Sequence, residues 1–248
     1  MFGQSVDELW YFESSAHTEA QNRLMYVAEQ GEPFVLLLGE RGLGKSSVLQ
    51  RVQAECRRFG HSCVLMNVAA LDEEAFLWHL CGGLSIILSE RDTRSKLMTA
   101  IRDEISGRAL CNHRTVILLD DLNRAGEDLS PMIQFLSAIN EQTDGGVSVV
   151  AASEENVSPS VHQLSALRVQ LSTLTEQDSR DFVQGMLNSA EFDSLTEEGL
   201  KAVIECGGGS PAQLTRTCEL LRIAIATNPG LEINADVLAV LTEETLIA

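Results

Sequence analysis

The sequence predicts an α/β fold, with a parallel sheet in the larger part of the chain and helices alone in the remainder. Up to about residue 171, short apolar runs typical of buried strands alternate with longer stretches of helical periodicity. Beyond residue 172 only helical patterns follow. We therefore predict an α/β core over residues 1–171 and a small all-helical domain over residues 172–248.

Apolar runs predict the strands of the core. The first is 34–38, and the second, 61–68, is so continuously apolar that we expect both of its faces to be buried. The third, 115–119, runs into two aspartates, and the fourth spans 147–152. A short run at 168–171 is the candidate for a fifth strand.

Helical periodicity, capping residues and terminal glycines predict the helices. Asp72 caps one of them, and the apolar spacing after it continues through Leu84 to Ile87. Ser130 and Pro131 begin another by the N-cap and N1 preference. The remaining predicted helices are 15–30, 45–59, 94–107, 175–190, 196–206, 210–227 and 234–245.

Composition limits the function classes. The chain has 248 residues, of which 44% are hydrophobic and 22% charged, as in ordinary globular proteins with a substantial core. Its apolar runs are far shorter than the ~20 residues that a membrane span needs, so we expect no span in this chain. The net charge of −18 argues against a nucleic-acid partner, because phosphate backbones attract basic surfaces. The six cysteines have no metal-site spacing, and we expect them to be reduced, buried and inert.

The motif that identifies a binding site follows the first strand. Residues 39–46 read G-x-x-x-x-G-K-S and open a predicted helix, which is the strand, loop and helix context of a phosphate-binding P-loop. A glycine-rich turn with a solvated lysine is the alternative. In a P-loop, Lys45 reaches the β- and γ-phosphates and the Ser46 hydroxyl binds Mg²⁺. The predicted nucleotide contacts are Gly39, Glu40, Arg41, Gly42, Leu43, Gly44, Lys45, Ser46 and Ser47.

A pair of carboxylates supplies the second half of the predicted chemistry. Asp120 and Asp121 end the third apolar run, where P-loop enzymes place a metal-binding carboxylate followed by a residue that activates water. Asp120 fits the metal role and Asp121 the role of base. Loop-capping aspartates are the alternative. Because no guanine-reading N-K-x-D motif is present, we predict that the nucleotide is ATP with Mg²⁺.

Together these motifs resemble AAA+ ATPases, and more narrowly the ExeA/GspA branch associated with general (type II) secretion. The resemblance covers nearly the whole chain. It includes the stretch from Tyr11 to Leu24 before the P-loop, the loop itself, Leu174–Asp178, and Gly209-Ser210-Pro211 of the helical domain. It implies an AAA+ core with a helical lid, ATP hydrolysis, assembly into homo-oligomers when ATP is bound, and protein partners in an export machine. It also implies a cytoplasmic location, with peripheral attachment to the inner membrane left open.

The resemblance also suggests roles for two further residues. Ser153 ends the fourth strand, where a sensor residue orients the attacking water, although a simple cap is the alternative. Arg168 precedes the fifth strand, where an arginine finger reaches a neighbouring subunit's nucleotide. Arg124 competes for that role. The predicted catalytic residues are therefore Lys45, Asp121, Ser153 and Arg168.

The chain departs from the family pattern at three points. Asp121 stands where relatives have glutamate, so we expect slow hydrolysis. Ala212 stands where the lid often has arginine, and Arg216, one turn on, is the nearest substitute. Secretion-type relatives continue into a transmembrane helix and a cell-wall-binding domain, whereas this sequence stops at Ala248, so either that tail is absent or the sequence is a fragment. Two other functions stay open: a nucleotide-gated scaffold with little hydrolysis, and a transposition-type AAA+ ATPase acting on DNA.

Overall fold

A computed structural model describes residues 12–89, 91–228 and 230–246 of the chain. Of the three adjacent aromatic residues at positions 10–12, Phe12 is therefore described, whereas Trp10 and Tyr11, with which the stretch resembling the family begins, lie outside the described residues. The strands are β1 (Phe34–Leu38), β2 (Ser62–Asn67), β3 (Thr115–Asp120), β4 (Val147–Ser153) and β5 (Leu167–Gln170). The helices are α1 (Ser15–Gln30), α2 (Lys45–Arg58), α3 (Glu73–Gly83), α4 (Arg94–Leu110), α5 (Ser130–Gln142), α6 (Pro159–Leu164), α7 (Glu176–Met186), α8 (Ser189–Asp193), α9 (Glu197–Gly207), α10 (Pro211–Thr227) and α11 (Ala235–Leu246).

The five strands form one parallel sheet in the order β2-β3-β4-β1-β5. Alternate residues of β1 point to opposite faces of the sheet, and all of β1 is buried. Phe34, Leu36 and Leu38 pack in a core with residues of α3, α4, α5 and α6. Helix α2 packs on β2, β3 and β4 and is not part of that core. Helices therefore cover both faces, which confirms the predicted α/β architecture.

Strand β2 is an edge strand of the described sheet and is less buried than its sequence predicts. Of its six residues only Val64 and Met66 are buried, while the others are half-buried or exposed. The prediction that both faces are buried is therefore wrong. A continuous apolar run does not distinguish a central strand from an edge strand, because the position in the sheet depends on contacts distant in sequence.

Helix α3 ends earlier than the apolar spacing predicts. It stops at Gly83, and Ser85 has a left-handed backbone with φ of 63°. Gly82 and Gly83 are poor helix formers, which explains the early end. Ile87 consequently lies in the following loop with 96% of its surface exposed, so its predicted inward position is wrong.

The described residues group into two compact units. His17–Arg41 and Lys45–Leu171 form the sheet-containing unit. The second unit comprises residues 12–16, the loop segment Gly42–Gly44, and the described residues from Ser172 onward.

The helical unit has its own apolar core, in which α7, α9, α10 and α11 bury one face each. Phe12 joins it through an edge-to-face contact with Phe182, with the ring centroids 5.4 Å apart. Thr175 caps α7 in a reciprocal capping box with Asp178, as the sequence predicts. Thr196 and Asn234 cap α9 and α11 through their side-chain oxygens.

The cysteines are less uniformly buried than expected. All six are free thiols. Three of them, Cys56, Cys81 and Cys218, are buried, whereas Cys111 and Cys206 are exposed. Burial raises the pKa of Cys81 to about 11 and that of Cys218 to about 12, so these two thiols stay protonated at neutral pH.

Two isoleucines of opposite burial test this description of the core. Ile101 on α4 is fully buried, and Ile87 is almost fully exposed. We expect Ile101→Ala to lower the free energy of unfolding by about 2–5 kcal/mol, because it removes buried apolar surface and leaves a cavity. Ile87→Ala should change it by less than about 0.5 kcal/mol. Urea unfolding followed by circular dichroism measures both. Equal losses for the two variants would contradict the end of α3 at Gly83.

Candidate functional site

Lys45 is the first residue of α2 and lies at the centre of the candidate site. Its ammonium group donates to the carbonyl oxygen of Gly39 at 2.7 Å and to that of Glu40 at 2.8 Å. Burial lowers the pKa of Lys45, and the nearby negative charges of Glu154, Asp120 and Asp121 oppose this effect, with Glu154 contributing most. The lysine therefore lies among carboxylates that come from the ends of two different strands.

Two glycines with left-handed backbones shape the loop between β1 and α2. Gly42 and Gly44 have φ of 85° and 92°, which other residues adopt with difficulty. Gly39, in contrast, is not among the residues with positive φ. Its N–H instead donates to the carbonyl of Ser153 at 3.2 Å, which joins the start of the loop to the end of β4.

The other predicted loop contacts differ in exposure. Leu43 is buried, with 3% of its surface exposed, so its side chain packs inward. Glu40 and Arg41 are exposed, as is Ser46 in the first turn of α2, while Ser47 is half-buried. The Ser46 hydroxyl is therefore accessible to a ligand, and the Leu43 side chain is not.

The two aspartates lie at the end of β3, as predicted. Asp120 is the last residue of the strand, and its Oδ1 accepts the N–H of Asp121 at 3.0 Å. Asp121 has a left-handed backbone with φ of 57°. The Asn67 side-chain amide donates to Asp121 Oδ2 at 2.9 Å. The second carboxylate is thus already paired with a neutral donor.

Asn67 is a site residue that reasoning from the sequence missed. It is the last residue of β2 and pairs with Asp120 in the parallel register. Its own Oδ1 accepts the N–H of Ala69 at 2.8 Å, which fixes the side chain beside the aspartates. The signal available in the sequence was a polar residue at the end of an apolar run. Its hydrogen-bond partner, Asp121, becomes known only when the order of the strands is known.

At the end of β4, reasoning from the sequence also missed the hydrogen-bonded pair formed by Ser153 and Asn123. Ser153 is fully buried, and its hydroxyl donates to Asn123 Oδ1 at 3.4 Å. The same oxygen accepts the N–H of Glu154 at 3.3 Å. Asn123 belongs to the short 3-10 turn after Asp121. It therefore joins the ends of β3 and β4, and Glu154 follows directly.

The predicted arginines lie on the surface of the sheet-containing unit. Arg168, in β5, is exposed, and its guanidinium donates to the carbonyl of His162 at 2.9 Å. Arg124, which ends the turn after the aspartates, is exposed as well.

Within the helical unit, the first turn of α10 contacts the loop segment that belongs to that unit. The Ala212 N–H and the Ser210 hydroxyl both donate to the Gly42 carbonyl, at 3.2 and 3.3 Å. Ala212 therefore contacts the loop segment through its backbone N–H, at the position where the family resemblance suggests an arginine side chain. Arg216 is exposed on the same helix.

The donor set at this site fits a magnesium ion. Mg²⁺ prefers hard oxygen ligands, and it is usually held by one or two protein groups together with phosphate oxygens. The accessible Ser46 hydroxyl and the half-buried carboxylate of Asp120 are groups of this kind. Histidine and cysteine, which would favour other metals, are absent from the residues described above as contacts of Lys45.

Comparison with known families identifies the class of protein. A family model described as AAA domain matches residues 28–158, which is just over half of the chain. The chain therefore belongs to the AAA domain family. General secretion pathway protein A of Aeromonas hydrophila is 23% identical over 233 residues, covering 90% of this chain and 42% of that protein. These matches confirm the resemblance to the ExeA/GspA branch, although the chain spans less than half of that relative's length.

Solved structures confirm the fold. Cdc6p from Pyrobaculum aerophilum superposes with a TM-score of 0.70 at 14% identity, over 92% of this chain and 66% of that one. The Aeropyrum pernix ORC1 protein, solved in complex with DNA, gives 0.65 at 16% identity, over 97% and 68%. A Thermotoga maritima RuvB Holliday junction branch migration motor gives 0.54 at 14% identity, over 97% and 72%. At these identities the likeness concerns the fold alone.

A helix that crosses a membrane must be both long and apolar. Within residues 12–246, leaving out the two undescribed positions, no helix combines the length and the apolar character that crossing a bilayer requires.

Two glycines with similar backbones test the role of the loop geometry. Gly44 and Gly60 have φ of 92° and 79°, but only Gly44 belongs to the P-loop. An alanine at either position should cost about 1 kcal/mol of stability, because a Cβ atom strains a left-handed backbone. We expect Gly44→Ala to weaken binding of a fluorescent ATP analogue at least about tenfold, and Gly60→Ala to leave it unchanged. Similar affinities for the two variants would show that the loop does not bind phosphate through its backbone.

Proposed function

We propose that this protein binds Mg-ATP and hydrolyses it to ADP and phosphate. The observation that supports this best is the position of Lys45, whose ammonium group donates to the loop carbonyls and whose pKa is affected by carboxylates from the ends of β3 and β4. Membership of the AAA domain family agrees with it. A phosphate chain would bring the negative charge for which Lys45 and the loop N–H groups are arranged.

Each residue has a defined part in this proposal. The loop from Gly39 to Ser47 holds the phosphates, with Lys45 on the β- and γ-phosphates. Ser46 and Asp120 would hold Mg²⁺, which neutralises the charge that develops on the phosphate oxygens. Asp121 is the residue that the sequence favours as base. Its hydrogen bond to Asn67 keeps the carboxylate in place and also occupies one of its oxygens.

We further propose that nucleotide state is converted into work on a partner protein. An order-to-disorder or rigid-body change triggered by the γ-phosphate is the usual route. The relative named general secretion pathway protein A suggests an export machine as the setting. Our proposal places this work in the cytoplasm, near the inner membrane. Residues 172–248 would act as the lid domain and residues 1–171 as the ATPase core.

The active form in this proposal is a homo-oligomer. Arg168 is exposed on the sheet-containing unit, and its hydrogen bond to the His162 carbonyl engages one of its guanidinium nitrogens. In this role it would stabilise the charge on the nucleotide of a neighbouring subunit. Arg124 is also exposed, in the turn that follows the aspartates, so replacing it provides a comparison for replacing Arg168.

Replacing Lys45 tests nucleotide binding directly. We expect Lys45→Ala to weaken ATP binding about 10- to 100-fold, because charge-assisted hydrogen bonds to the phosphates are lost, and to abolish turnover. Lys201→Ala is the control, since Lys201 is exposed on α9 and faces only Glu205. Isothermal titration and a phosphate-release assay provide the two measurements. Wild-type binding by Lys45→Ala, or no turnover by wild type at any protein concentration, would contradict the proposal.

Shared active sites make the rate depend on assembly. We expect the ATPase rate per subunit to rise with protein concentration, and Arg168→Ala to lower it by about 10³-fold or more while ATP binding is retained. Arg124→Ala should leave the rate unchanged if Arg168 is the finger. A rate per subunit that does not vary with concentration, together with full activity of Arg168→Ala, would show that each chain works alone.

A further inference from the structure

The first turn of α10 is hydrogen-bonded to a carbonyl of the P-loop. Ser210 is the N-cap residue of α10, yet within the described part of the chain its side chain forms no capping hydrogen bond. Its hydroxyl donates instead to the carbonyl oxygen of Gly42 at 3.3 Å. The N–H of Ala212, in the first turn, donates to the same oxygen at 3.2 Å. Gly42 belongs to the same compact unit as α10, and its carbonyl accepts from two groups at the start of this helix.

The other described helices of this unit are capped by side chains. In each of them the side-chain oxygen of the preceding residue accepts an N–H from the first turn, and these residues are Thr175, Asn188, Thr196 and Asn234. Serine caps helices as well as asparagine does and better than threonine. The absence of such a bond at Ser210 in the described structure is therefore explained by its contact with Gly42, and not by the capping ability of serine.

The contact between α10 and the P-loop is close as well as hydrogen-bonded. A Cβ atom at Gly42 would lie 2.8 Å from the Ser210 hydroxyl oxygen and 3.1 Å from the Ala212 Cβ, so a side chain at position 42 would disturb it. The turn before α10 is anchored on its other side, because the Gly209 carbonyl accepts the N–H of Leu174 at 2.9 Å. The Ser210 hydroxyl therefore meets Gly42 from a fixed position.

These hydrogen bonds fix the orientation of one peptide group in the P-loop. Gly42 has φ of 85°, and glycine permits backbone rotations that other residues resist. A trans peptide group is planar, so its carbonyl oxygen and the N–H of the next residue point in opposite directions. Holding the Gly42 carbonyl therefore also fixes the direction of the Leu43 N–H. Backbone N–H groups are the part of a P-loop that binds phosphate.

We infer that Ser210 is a positioning residue of the nucleotide site, whose hydroxyl acts with the Ala212 N–H to hold the Gly42 peptide in the orientation that binds phosphate. The inference rests on the proposed nucleotide binding. The P-loop backbone contacts the α- and β-phosphates, which ATP and ADP share. A charged side chain that reached the γ-phosphate would distinguish the two nucleotides, whereas the contact with Gly42 would support both equally.

Removing the hydroxyl tests this role. We expect Ser210→Ala to weaken the binding of ADP and of ATP by the same factor, about three- to tenfold, because one hydrogen bond to the P-loop is lost. Ser210→Thr keeps a hydroxyl and should restore the wild-type affinities. Isothermal titration calorimetry measures both nucleotides. Wild-type affinities in Ser210→Ala, or a loss confined to ATP, would overturn the inference.

A second N-cap residue separates positioning from stability. Thr196 caps α9, and its hydroxyl oxygen accepts the N–H of Gly199 at 3.0 Å. We expect Thr196→Ala to lower the urea midpoint of unfolding and to leave both nucleotide affinities unchanged. Ser210→Ala removes no capping bond and should show the opposite pattern. A loss of stability in Ser210→Ala as large as that in Thr196→Ala, without a loss of affinity, would show that Ser210 supports the fold alone.

Amide exchange gives a further readout that depends neither on a variant nor on turnover. If the contact with Gly42 favours nucleotide binding, bound nucleotide must favour the contact by the same factor. We expect ADP to slow hydrogen exchange of the Ala212 amide at least about fivefold and to leave that of Gly199 unchanged. Unchanged exchange at Ala212 with ADP bound would overturn the inference. Wild-type protein that binds ADP but releases no phosphate from ATP would contradict the proposed hydrolysis alone, because these measurements require only binding.

Discussion

The site depends on one geometric constraint, the parallel pairing of β1, β4 and β3. Parallel neighbours end at the same edge of a sheet, so the loop after β1, the turn after β3 and the residue after β4 meet there. Two hydrogen bonds make this meeting specific: Gly39 donates to Ser153, and Asn123 accepts from Glu154. A one-residue change in the register of β4 would move its side chains to the opposite faces of the sheet and separate these groups.

The electrostatics of the edge follow from that meeting. Burial disfavours the charge of Lys45, and three carboxylates favour it. Three acids near one lysine leave the site with an excess of negative charge, and a phosphate chain would increase that excess. A divalent cation bound with the nucleotide removes this conflict. The donors present, a serine hydroxyl and an aspartate, are those that magnesium takes.

The sequence predicted the parts of the site that are contiguous in the chain. The loop from Gly39 to Ser46 and the pair Asp120-Asp121 each combine a motif with an apolar strand, so local pattern was enough. Asn67 and Asn123 could not be found in this way, since each acts through a neighbour more than 25 residues away in sequence. Their roles require the strand order, which no local periodicity contains.

The two errors in the fold have different origins. The apolar run of β2 resembles a central strand, yet β2 is an edge strand of the described sheet. Apolar spacing continued through Ile87 although two glycines had already ended the helix at Gly83. The apolar pattern is present in both cases. The position of β2 in the sheet overrides it in the first case, and the low helix propensity of glycine overrides it at the end of α3.

The aspartate at position 121 has a conformational explanation that complements its chemistry. Its backbone is left-handed, a conformation in which aspartate is enriched relative to longer side chains. The bend directs the chain into the 3-10 turn that carries Asn123 to Ser153 and Glu154. Asp121 therefore serves as a turn residue whose carboxylate is held by Asn67. The shape of the turn and the hydrogen bond to Asn67 thus constrain position 121 together.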